Sequence, residues 1–87
     1  GVEEGVVEQV FSIYPNPTQE IVNVDLSEFD SGEYTIGIYD MNGKLLINEI
    51  SVAAQILLDI SALSNGQYLV SVLNSGKFIG SKILLKN

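Results

Sequence analysis

Apolar and polar residues alternate along most of this chain with a period of two. In residues 21–26, Val22, Val24 and Leu26 fall on one side, with Asn23 and Asp25 on the other. Residues 34–40 place Tyr34, Ile36 and Ile38 together, residues 55–60 group Ile56, Leu58 and Ile60, and residues 67–73 group Tyr68, Val70 and Val72. Residues 11–14, 44–51 and 78–86 are apolar runs with a less regular pattern. Successive side chains of an extended chain point to opposite faces of a sheet, so each run predicts a strand with one buried face. A helix would need about 10–12 residues of 3.6 periodicity, and no segment supplies that. Turn formers separate the runs at Pro15-Asn16-Pro17, Asp30-Ser31-Gly32, Asn42-Gly43, Asn65-Gly66 and Ser75-Gly76. Val22, Val24, Ile36, Ile38, Ile56, Leu58, Tyr68 and Val70 are the expected core.

About seven short strands at this spacing predict an all-β fold, a single antiparallel β-sandwich of immunoglobulin-like type. Asn42-Gly43 joins two runs directly, which predicts a type I′ turn, since both central residues of that turn need positive φ. Ser75-Gly76 predicts a second hairpin. The two hairpins share a pattern: Gly32-Glu33-Tyr34 leads to Gly43-Lys44, and Gly66-Gln67-Tyr68 leads to Gly76-Lys77. Either any two hairpins look alike, or the sandwich is pseudo-symmetric and each sheet holds one such hairpin. In both cases the tyrosine ring is expected in the core, with its hydroxyl reaching a partner.

The length of 87 residues suits one small domain and leaves little room for a deep cleft. With no Cys there is no disulfide framework or thiol nucleophile, and with no His there is no imidazole base or usual zinc ligand. The net charge of −7 makes nucleic acid and anionic lipid poor partners. No apolar run is long enough to insert in a membrane. Residues 1–10, with Glu3, Glu4 and Glu8 between glycines and valines, are expected to be a linker.

Three groups of residues bear on chemistry. The acidic stretch from Asp25 through Glu28 and Asp30 to Glu33 offers oxygen ligands, but Ser27 and Phe29 break the spacing of a calcium loop, so a solvated strand end is expected. Ser61 and Ser64 near Asp59 lack the base that a hydrolase needs. Tyr14, Tyr34, Tyr39 and Tyr68 could form a sugar-binding platform, yet the alternation puts Tyr34 and Tyr68 in the core and leaves Tyr39 on the opposite face beside Gly37. No enzymatic activity, cofactor or metal is expected.

Four motifs follow in order: Tyr14-Pro15-Asn16-Pro17; Asp40-Met41-Asn42-Gly43-Lys44; Leu58-Asp59 through Asn65-Gly66-Gln67-Tyr68; and Gly76-Lys77 running to a tail of Lys82, Ile83, Leu84, Leu85, Lys86 and Asn87. Together they resemble the type A C-terminal sorting domain of the type IX secretion system of Bacteroidetes, over residues 11–87. The resemblance implies a sandwich that directs an attached N-terminal cargo protein through an outer-membrane translocon. It further implies cleavage by a sortase-like protease, with residues 1–10 as the junction to the cargo and the expected region of cleavage. The route would pass through the periplasm to the cell surface or the medium. Pro15, Asn16, Pro17, Asp40, Gly43, Lys44, Gly66, Tyr68 and Gly76 match the family pattern as structural positions. Lys82, Ile83, Leu84, Leu85, Lys86 and Asn87 are the candidates for translocon recognition, because a terminal edge strand can offer backbone groups to a partner. The lysines could instead only guard that edge. An adhesion or carbohydrate-binding module of an extracellular enzyme is the alternative reading.

Overall fold

The computed structural model describes residues 11–29 and 31–87. The expected linker and cleavage region at residues 1–10, and Asp30 of the second turn signal, lie outside the described residues. Seven strands follow in order: β1 (Ser12–Tyr14), β2 (Ile21–Asp25), β3 (Tyr34–Asp40), β4 (Leu45–Ser51), β5 (Gln55–Asp59), β6 (Gly66–Asn74) and β7 (Lys77–Lys86). They form two antiparallel sheets, one of order β1-β2-β5 and one of order β4-β3-β6-β7. The period-two alternation drives this arrangement. Val22, Val24 and Leu26 from one layer meet Tyr34, Ile36, Ile38, Tyr68, Val70 and Val72 from the other, and all are buried. The eight residues expected in the core are in it.

The β4 strand stays beside β3 instead of crossing to the layer of β1, β2 and β5. The reason is the turn between them. Asp40 accepts from the Gly43 amide at 3.0 Å, and its own amide donates to the Lys44 carbonyl at 2.9 Å. The Asp40 carboxylate accepts from the amides of Asn42 and Lys44, each at 2.9 Å. Gly43 has φ +89°, while Asn42 is not among the positive-φ residues. This is a type I turn closed by a glycine bulge, not the expected type I′ turn. The Asp40 carboxylate gathers the loop amides and selects it. The type I′ geometry occurs at the other hairpin, where Ser75 and Gly76 have φ 51° and 84°.

Of the two readings of the repeated hairpin, the one that gives each sheet its own is ruled out. Both hairpins lie in the four-stranded sheet, with β3 and β6 paired at its centre. Tyr34 stands opposite Asn74 and Tyr68 opposite Asp40, so the two Gly-x-Tyr units sit at diagonal corners of one layer. They repeat within a sheet because β3 and β6 are antiparallel neighbours, each leading out to an edge strand.

Irregular alternation in β7 has a local cause. Val72 pairs with Gly80 and Leu73 with Phe78, which leaves Ile79 as an extra residue in a bulge. Beyond it, Gly80, Lys82, Leu84 and Lys86 share the inner face with Val72, Val70, Tyr68 and Gly66, since opposed residues project to one side. Ile83 and Leu85 face outward.

Candidate functional site

The terminal strand and the proline corner form one unit. Between β1 and β2 the chain leaves the smaller sheet and runs along the outer edge of β7. Both peptide bonds preceding Pro15 and Pro17 are cis. Thr18 and Lys86 make a parallel bridge. The Thr18 amide donates to the Leu85 carbonyl at 2.9 Å, and the Asn87 amide donates to the Thr18 carbonyl at 2.9 Å. Thr18 is buried, and its hydroxyl donates to the Ile21 carbonyl at 2.6 Å, fixing the entry to β2.

Asn16 continues the same ladder with its side chain. Its amide nitrogen donates to the Ile83 carbonyl at 2.9 Å, and its amide oxygen accepts from the Leu85 amide at 3.0 Å. In parallel pairing, a residue donates to the carbonyl before its partner and accepts from the amide after it. Thr18 does this around Lys86 with its backbone, and Asn16 does it around Leu84 with its carboxamide. The Asn16 carboxamide thus takes the place that its own peptide groups would fill in a regular parallel strand.

The edge of β7 is closed over Ile83 to Asn87, whereas an open terminal edge was expected. Pro15, Asn16 and Pro17, matched as a structural corner, and the tail, matched as a recognition segment, are brought together. Lys82 and Lys86 are half-buried on the inner face, so they are not the fully exposed charges that a frayed tail would carry. Ile83 is 44% exposed. Leu84 is fully buried in the core. A shallow depression of about 620 Å³ lies beside the corner, between the two prolines, Glu20, Ile21 and Asn87.

The other matched positions serve the framework: Gly66 and Tyr68 on β6 stand opposite Lys86 and Leu84 of the tail, and the rest belong to the hairpin turns. Asp40, Gly43 and Lys44 build the β3–β4 turn. Gly76 builds the β6–β7 turn. Tyr68 is buried, and its hydroxyl donates to the Ser64 carbonyl four residues upstream, the tyrosine corner of immunoglobulin-like sandwiches. The tyrosines do not assemble a platform. Tyr34 and Tyr68 are in the core, while Tyr14 and Tyr39 face outward from different sheets. Gly37 leaves room for the Tyr39 ring, which would stand 3.0 Å from a β-carbon there. In the acidic stretch, the Asp25 carboxylate accepts from the Ser27 amide at 2.9 Å, and Asp59 accepts from Ser61 at 2.9 Å. Hydrogen bonds from the serine side chain and then its amide lower the pKa of each aspartate.

Sequence reasoning missed Thr18 and the role of Asn16. The available signal was their spacing: two polar residues two apart, around a proline, present their pairing groups to the same side of an extended segment.

The fold and the clamped tail define an immunoglobulin-like β-sandwich module whose distinctive feature is its terminal strand. A family model for the secretion system C-terminal sorting domain matches residues 12–86, and the chain belongs to that family. No curated protein matches the chain. The domain is thus a C-terminal sorting signal for type IX secretion, which marks a protein for export to the cell surface or the medium. Its family is a class of sorting signals and is not known for catalysis.

Proposed function

We propose that the tail of Lys82, Ile83, Leu84, Leu85, Lys86 and Asn87 is the segment that the type IX outer-membrane translocon recognises. The observation that carries this reading is the clamp. It gives the tail one fixed shape, in which Ile83 and Leu85 face outward beside Asn16. A fixed shape lowers the ordering entropy that a partner must overcome on binding. In this reading the domain does no chemistry of its own. It passes through the periplasm on an attached cargo protein, and a sortase-like protease then cuts within residues 1–10.

The test is a fusion of the 87-residue chain behind a reporter carrying an inner-membrane signal, expressed in a type IX-competent bacterium. The reporter is expected at the cell surface or in the medium. Lys82→Ala and Lys86→Ala are expected to reduce delivery. Because both side chains are half-buried, each variant needs its melting temperature measured alongside. A reporter that stays in the periplasm when fused to the unsubstituted chain overturns the reading.

A further inference from the structure

Strand addition by a partner needs an edge with available N–H and C=O groups. Over the tail of β7 those groups are engaged. The Ile83 carbonyl and Leu85 amide bond to Asn16, and the Leu85 carbonyl and Asn87 amide bond to Thr18. What the tail presents instead is a pair of apolar side chains, Ile83 and Leu85, on the outer face. We propose that Asn16 is a positioning residue for sorting: it holds the terminal strand closed, and the partner reads the closed strand by an apolar surface fitted to Ile83 and Leu85, not by adding a strand. This rests on the reading that the tail is the recognised segment.

The chemistry singles out asparagine. One planar group must donate to a carbonyl and accept from an amide two residues further on. Aspartate keeps the acceptor, but it loses the donor and turns a negative oxygen toward the Ile83 carbonyl. Alanine supplies neither. Asn16 is exposed, so removing its carboxamide opens no core cavity. Loss of the clamp should therefore be separable from loss of the fold.

The experiment uses the full chain, alone and as the reporter fusion, with Asn16→Ala, Asn16→Asp and Ile83→Ser. In the isolated chain, amide exchange at Leu85 is expected to rise roughly tenfold in Asn16→Ala, since an engaged amide is released, and less in Asn16→Asp, which keeps the acceptor for that amide and loses the donor to Ile83. Exchange at Val22, Val24 and Val70 should hold steady. In the fusion, both Asn16 variants are expected to deliver several-fold less reporter. Ile83→Ser should also deliver less, with Leu85 exchange unchanged. Unchanged Leu85 exchange in Asn16→Ala overturns the clamp. Equal or greater delivery once the clamp opens, the outcome that strand addition requires, overturns the closed-strand reading. If Asn16→Ala melts well below the parent, Asn16→Asp carries the delivery comparison, because it keeps the side-chain volume while losing the donor to the Ile83 carbonyl. Failure of the unsubstituted fusion removes the underlying reading and this one with it. Success of that fusion with Asn16 variants at parent levels removes this one alone.

Discussion

A β-carbon on Gly43 would meet nothing within 4 Å, yet the residue sits at φ +89°. The penalty for Gly43→Val is therefore backbone strain alone, about 1–3 kcal/mol. A lowered denaturation midpoint is the expected result, and Gly43→Asn, which tolerates that φ, should recover most of it. Tyr68→Phe removes the bond to Ser64 and keeps the ring in the core. It should cost about 1 kcal/mol in a chemical melt. Both positions were legible in the sequence as a turn glycine and a core tyrosine, because each follows from local chemistry. Asn16 was legible only as part of a corner. Its partners, Ile83 and Leu85, lie 67 and 69 residues away, and no local pattern states that a carboxamide will replace a peptide group there.

At the level of elements, strands were legible because burial on one face writes a period of two into the sequence. The type of the β3–β4 turn was not. Asn-Gly favours type I′, but the Asp40 side chain competes for the loop amides and wins. The register of β7 was also hidden, since the bulge at Ile79 shifts the alternation by one residue. Aspartates close the ends of β2 and β5 in a repeated way, and this has a consequence for acid stability. Hydrogen bonds from Ser27 and Ser61 hold the pKa of Asp25 and Asp59 below the ordinary value of 3.8. A carboxylate depressed in the folded state contributes stability above its unfolded pKa, and that contribution is lost as the pH falls through the folded value. The urea midpoint should hold steady down to about pH 4 and fall below it. The Asp25→Asn, Asp59→Asn double variant should show a shallower fall, because its amides accept the same bonds and do not titrate.

Across the whole molecule, the tail belongs to the core as much as to the surface. Leu84 is fully buried, so Leu84→Ala should cost about 2–5 kcal/mol in a thermal or urea melt. Deleting residues 82–87 would remove that side chain and the clamp together, and both folding and export should fail. Only point variants separate the two roles. Charge is divided between the layers as well. Lys44, Lys77, Lys82 and Lys86 all belong to the two hairpins of the four-stranded sheet, whereas Asp25 and Asp59 lie in the other sheet, which has no basic residue. Among the described strands, those of the β1-β2-β5 sheet thus carry only acidic charge, while Asp40 and Glu49 in the other sheet are outnumbered by the four lysines of its hairpins.

The path of the chain from Phe11 to Thr18 has a mechanical consequence. Phe11 is buried and lies 3.5 Å from where a β-carbon on Gly80 would stand, while Thr18 lies against Lys86. The segment therefore runs in the same direction as β7, paired with β2 over residues 12–14 and bonded to β7 at Asn16 and Thr18. Tension applied through residue 11 acts along this segment, at right angles to the ladder bonds of β1 to β2. Bonds loaded in this way share the force and must yield together, whereas a hairpin peeled from its open end gives way one bond at a time. A load applied between residues 11 and 87 is thus resisted in shear, and the anchor that shares it is the terminal strand itself.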